Sequence, residues 1–134
     1  MGRARRLRLL LDTSALLWFW LGGRALRPQV LGPILDRNNQ VHVSSISAME
    51  IATKHRVGKL PGVENVLATF ADALAADGFI ALPLSNEHAL LAGAIPGEHR
   101  DPFDRMLAAQ AIIEELTIVS SDAAFDALGA RRLW

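Results

Sequence analysis

The sequence predicts a single α/β domain, with a central parallel sheet of four to five strands and helices on both faces. Three observations predict it. Short apolar runs alternate with longer stretches of helical spacing; strands apolar on both faces read this way, whereas half-wet strands alternate in polarity. The 134 residues suit one domain, and 51% hydrophobic with 21% charged residues is a globular balance. No internal repeat, linker or low-complexity tract interrupts the alternation.

Leu7–Leu11 reads as the first buried strand. Thr13 or Ser14 can cap a helix through about Leu21, stopped by Gly22 and Gly23. Pro28 suits the first turn of a second helix, which Gly32-Pro33 should kink or shorten. Asn38-Asn39 turns the chain into a second strand, Gln40–Val43, and Ser45 to Val57 reads as a helix closed by Gly58. Val63, Val66, Leu67, Phe70 and Leu74 lie on one face of a single helix that Asp77-Gly78 ends. Phe79–Leu82 is a third strand, and Ser85 caps a helix to about Ala94. After the Pro96-Gly97 loop, Asp101-Pro102 opens a helix to Glu115. Thr117–Val119 is a fourth strand, Asp122–Leu128 a short helix, and Arg132–Trp134 a candidate fifth strand.

Fourteen basic and fourteen acidic residues give zero formal charge, so any nucleic-acid contact must be local rather than a coat of positive charge. The basic residues cluster as Arg3, Arg5, Arg6, Arg8; Lys54, His55, Arg56, Lys59; His99, Arg100, Arg105; and Arg131, Arg132, each cluster equally readable as a solvated face. The chain has no cysteine, which excludes disulfides, thiolate metal sites and a thiol nucleophile. Four arginines before an apolar run imitate a secretory signal, but Asp12, Thr13 and Ser14 interrupt the run. Ala15 to Leu21 is far short of the ~20 residues that span a bilayer, so the expectation is a soluble, cytoplasmic protein with no membrane partner.

Ligands of open α/β sheets collect beyond the carboxyl ends of the strands. Asp12 follows the first strand, Asp122 the fourth, Glu50 lies early on the helix after the second, and Asp104 in the first turn of the helix before the fourth. One edge of the fold could gather all four. Like charges raise each other's pKa, and a divalent cation relieves the repulsion; an oxygen-only set favours Mg²⁺ or Mn²⁺ over zinc. Each acid also has a structural explanation. Asp12 and Asp122 can be helix caps, Ser47-Ala48-Met49-Glu50 matches a capping box, and Asp101-Pro102-Phe103-Asp104 reads as a cap, a first-turn proline and an acid favoured by the helix dipole.

Four segments carry a family resemblance. Leu9-Leu10-Leu11-Asp12-Thr13-Ser14-Ala15-Leu16-Leu17-Trp18 resembles the opening motif of PIN-domain nucleases. Val43-Ser44 through Met49-Glu50-Ile51-Ala52 to Gly58-Lys59-Leu60 resembles their second motif, His99 through Ala111 the third, and Ile118-Val119-Ser120-Ser121-Asp122 the last. Order and spacing match across nearly the whole chain, with Ser120 where Thr is common and Met49 where Trp is frequent.

The resemblance implies a PIN-like domain over residues 1–134 and a Mg²⁺-dependent endoribonuclease of the VapC toxin type (Mn²⁺ as the other candidate cation). It implies Asp12, Glu50, Asp104 and Asp122 as catalytic, metal-binding acids, with Asp101 in the outer coordination sphere because the family's acid aligns better with Asp104. It also implies hydrolysis of RNA phosphodiesters without a covalent intermediate, a small antitoxin partner and a homodimer. Lys54, one turn after Glu50, is either a simple ion pair or, with Arg100 and Arg105, a phosphate contact at the rim. Ser14, Ser120 and Ser121 either orient water or phosphate or act as caps. His55, His88 and His99 show no ligand-like spacing and are expected at the surface or in loops. The first helix is apolar all round, so one face either stays exposed for a partner or is buried completely.

Competing classes fit less well. A receiver-type signalling domain needs adjacent acids after its first strand and a lysine after its last; Leu10 and Leu11 precede Asp12, and no lysine follows Lys59. A haloacid-type phosphatase needs an acid where Ser14 stands. A catalytically silent PIN-fold binding module is the remaining alternative, and intact acids argue against it.

Overall fold

In a computed structural model of the chain, residues 6–22 and 26–134 are described; Arg3, Arg5 and Gly23 lie outside them. The strands β1 (Arg8–Leu11), β2 (Gln40–Ser44), β3 (Ile80–Leu82), β4 (Thr117–Val119) and β5 (Arg132–Leu133) form one sheet in the order β3-β2-β1-β4-β5. Every adjacent pair is parallel. Parallel neighbours need crossovers, and the helices supply them: α1 (Thr13–Leu21), α2 (Pro28–Leu35), α3 (Ser45–Arg56), α4 (Glu64–Ala68), α5 (Phe70–Ala76), α6 (Asn86–Ala94), α7 (Pro102–Ile113) and α8 (Ala124–Ala127).

Strand β1 is apolar from Leu9 to Leu11, where it is covered on both sides; Arg8 at its start is exposed. Leu9, Leu10 and Leu11 are all fully buried, and successive side chains point to opposite faces. Leu9 and Leu11 join a core with Leu16 of α1, Val30 and Ile34 of α2, Ile51 of α3 and Leu74 of α5. Leu10 joins a second core with Ala92 of α6, Leu107 and Ala108 of α7, and Phe125 of α8. Val119 and Ile118 of β4 divide between the two cores in the same way.

Several boundaries differ from expectation, each for a local reason. Helix α1 is capped by Asp12, not Thr13 or Ser14: its Oδ1 accepts the Ala15 N–H at 2.7 Å, and Gly22 closes the helix at φ 73. Ser44 caps α3 by accepting the Ile46 N–H, so Ser47 lies inside the helix and the capping-box reading of Ser47 and Glu50 fails. The single helix expected from Val63 to Leu74 is two, broken at Thr69, whose hydroxyl bonds back to the Asn65 carbonyl at 2.8 Å. Helix α8 is shorter than expected, since Asp122 is spent on the turn before it, accepting from the Ala124 N–H.

The first helix resolves the two readings of its apolar surface by doing neither. Leu17, Trp18, Phe19 and Trp20 are half-buried, while Leu21 is exposed. Phe19 stacks against Phe79 at 5.3 Å and Trp20 meets Phe70 edge-on at 5.5 Å, its indole N–H donating to Asp77. No helix among the described residues is long and apolar enough to cross a membrane.

Candidate active site

Parallel strands place all their carboxyl ends at one edge, and that edge gathers the acids. Asp12 leaves β1 and is buried, 8% exposed. Helix α3 packs against both α1 and α7, and the charge of its Glu50 acts on Asp12. A buried hydrogen bond from the Thr13 hydroxyl to Ser47 Oγ, 3.0 Å, ties the start of α1 to the turn of α3 that precedes Glu50. Asp104 sits in the first turn of α7, with Asp101 as the N-cap accepting from the Phe103 and Asp104 N–H groups. Asp122 is exposed beyond β4.

Electrostatics shows that these carboxylates share a neighbourhood. Burial pushes Asp12 up to about 6; hydrogen bonds from Ser120 and the Ala15 N–H oppose the rise, and the charges of Asp104 and Glu50 add to it. Asp104 is raised too, first by burial, with the His99 hydrogen bond opposing and the charges of Asp101 and Asp122 contributing. Glu50 pairs with Lys54 at 3.0 Å, so the i, i+4 ion-pair reading of Lys54 is the one observed. His99 Nε2 donates to Asp104 Oδ2 at 2.9 Å.

These four acids are the donor set for the expected cation. It is oxygen-only, carboxylate-rich and electrostatically frustrated, which fits a hard divalent ion in chemistry. As placed, no three metal-capable side chains among the described residues form a ligand cluster. Like charges stand apart, with Glu50 turned to Lys54 and Asp104 to His99. Asp12, Glu50, Asp104 and Asp122 are the residues that would hold the ion.

The sequence model of the PIN domain matches residues 9–130. The chain belongs to the PIN domain family. Solved structures with the same fold include VapBC2 of Rickettsia felis bound to a promoter DNA fragment, at 18% identity and TM-score 0.71, covering 95% of this chain and 98% of that one. FitAcB of Neisseria gonorrhoeae follows at 20% identity and TM-score 0.70, covering 94% and 96%. VapBC-1 of nontypeable Haemophilus influenzae matches at 14% and 0.65, covering 95% and 97%. No individual curated protein sequence matches. The PIN domain is a nuclease fold, and membership supports a nuclease role.

Several polar residues of this PIN domain have roles other than those expected. Ser120 is fully buried, so it does not face RNA; its hydroxyl hydrogen-bonds Asp12 and accepts the Asp122 N–H at 2.9 Å, coupling two acids through one oxygen. Arg105 is not a free phosphate contact: its guanidinium donates to the carbonyls of Ala92 at 2.8 Å, His99 at 3.0 Å and Ile95. Arg100 is exposed and Ser14 half-buried. His88 is buried, not at the surface, and closes a capping box with Ser85 at the start of α6. His99 was missed as a neighbour of the acids because its partner, Asp104, lies five residues on, across a loop whose path only the Arg105 contacts define. Ser47 was assigned to a cap, although its three-residue offset from Glu50 puts both on one helix face.

Proposed function

We propose that this PIN domain is a Mg²⁺-dependent endoribonuclease, the toxin of a type II toxin–antitoxin pair, with Asp12, Glu50, Asp104 and Asp122 as its catalytic acids. The observation that carries the reading is that acids from separate segments lie near enough for their charges to act on one another, Asp104 and Glu50 on Asp12 and Asp122 on Asp104, while burial pushes Asp12 up to about 6. Perturbed acids that meet in this way mark sites of chemistry. Mg²⁺, or Mn²⁺, when bound supplies charge neutralisation, polarises the scissile phosphate and lowers the pKa of the attacking water.

The chain's own groups set the stage for that chemistry. Asp12 is aimed by the Ala15 N–H and the Ser120 hydroxyl, and Glu50 is held on α3 by the buried Thr13–Ser47 link. Asp104 benefits from the α7 amino-terminal dipole, which favours its ionised form. Lys54 and exposed Arg100 stand near the acids as positive groups that can meet RNA phosphates. A small antitoxin and a second copy of the chain are the proposed protein partners; the first is supported by structures that share the fold, among them a member of the VapBC family of toxin–antitoxin systems.

The test is incubation of purified protein with total RNA, with and without Mg²⁺, beside Asp12→Asn, with mapping of the cut ends. Discrete Mg²⁺-dependent ends from the wild type alone support the reading. Intact RNA from inhibitor-free wild-type protein in Mg²⁺ overturns it.

A further inference from the structure

Asp104 and Arg105 are neighbours in the first turns of α7, and both grip the same residue. Arg105 donates to the backbone carbonyl of His99, and the imidazole of His99 donates to Asp104 Oδ2 at 2.9 Å. The guanidinium also binds the carbonyls of Ala92 and Ile95, so the connection from α6 to α7, including Gly97 at φ 121, wraps around one buried fork. Three carbonyls on one rigid planar donor leave that loop little freedom. The His99 side chain is 29% exposed.

We propose that His99, held by the Arg105 clasp, is a positioning residue that fixes the Asp104 carboxylate for the cation-assisted reaction, an inference that rests on the nuclease reading above. With Oδ2 engaged by the imidazole, the carboxylate is held in one orientation, in which it would help hold the cation. Carboxylates that ligate metals are oriented by such hydrogen bonds, and losing one typically costs roughly ten- to hundredfold in metal affinity or activity.

The test uses Mn²⁺ binding by calorimetry as a readout independent of turnover, with RNA cleavage alongside, on wild type, His99→Ala, His99→Gln and His99→Phe. His99→Gln keeps a donor that can reach the carboxylate; His99→Phe keeps the ring but no donor. The expected result is a Mn²⁺ dissociation constant raised about tenfold or more in His99→Ala and His99→Phe, with His99→Gln within about threefold of wild type. Cleavage should follow, with the Mg²⁺ needed for half-maximal rate rising and KM for RNA unchanged. A packing role predicts the opposite order, with His99→Phe best, and overturns the proposal. Wild-type Mn²⁺ affinity in all three variants also overturns it while leaving the nuclease reading standing. A wild type that neither binds Mn²⁺ nor cuts RNA overturns both.

Discussion

Replacing Asp12 with Asn should make the protein more stable while abolishing its chemistry. Asp12 holds its proton up to about pH 6 in the folded state but only to about 3.8 in the unfolded chain. The stability that this proton contributes is fully present below 3.8 and is lost as the pH rises through about 6. At about 1.4 kcal/mol for each pH unit between the two values, the folded state at pH 8 carries a penalty of up to about 3 kcal/mol. Asn removes the charge and keeps an oxygen that can accept the Ala15 N–H, so the α1 cap survives. Rearrangement at Ser120 takes back part of the gain, leaving about 1–2 kcal/mol. For a domain of this size that is a rise of roughly 3–10 °C in Tm. The assay is thermal or urea unfolding in EDTA at pH 8 and pH 4. The Asn variant should exceed wild type at pH 8, and the gap should close at pH 4. Adding Mg²⁺ should raise the Tm of wild type and not of the variant. A variant no more stable at pH 8, or a gap that ignores pH, refutes the assignment of strain to the buried carboxylate.

Other perturbations separate stability from chemistry. Thr13→Val should cost about 1–3 kcal/mol in urea unfolding by stranding the buried Ser47 hydroxyl, and Thr13→Val with Ser47→Ala should cost less than the sum of the two. Lys54→Met should change stability by less than about 0.5 kcal/mol, since the pair is surface-exposed on the lysine side, yet lower the Mg²⁺ needed for half-maximal cleavage by releasing Glu50. Ser120→Ala should weaken Mn²⁺ binding several-fold and lower the Tm, because one hydroxyl serves both Asp12 and the Asp122 turn. Arg105→Lys should lower the Tm and raise the rate of proteolysis between Ile95 and Asp101, because the lysine donors radiate from one nitrogen and lack the planar fork that reaches three separate carbonyls.

The parts of the fold written in local pattern were legible in the sequence. Strand β4 runs from Thr117 to Val119 as expected, β1 lacks only Leu7, and β2 extends one residue to Ser44. Burial on both faces made their central positions mostly apolar, which is what identified a parallel sheet. The break at Thr69 was not legible, because the apolar spacing continues across it while the hydroxyl competes for the backbone. The acids were legible as strand-exit residues, but their supports were not. Ser47 looks like a cap until Ser44 takes that place, and Arg105 looks like a rim cation until the loop folds around it. His99 and Ser120 act through contacts across the fold, and no spacing rule encodes such contacts.

The strand made first occupies the middle of the sheet. Leu9 pairs with Val41 on one side and with Thr117 on the other. Its second neighbour therefore leaves the ribosome more than a hundred residues later, and such distant pairings slow folding. Asp104, whose charge acts on Asp12, lies on the helix just before β4, and Asp122 lies just past that strand. A chain that has not yet made β4 thus holds Asp12, Glu50 and Asp104 without the β1–β4 pairing that sets their edge of the sheet.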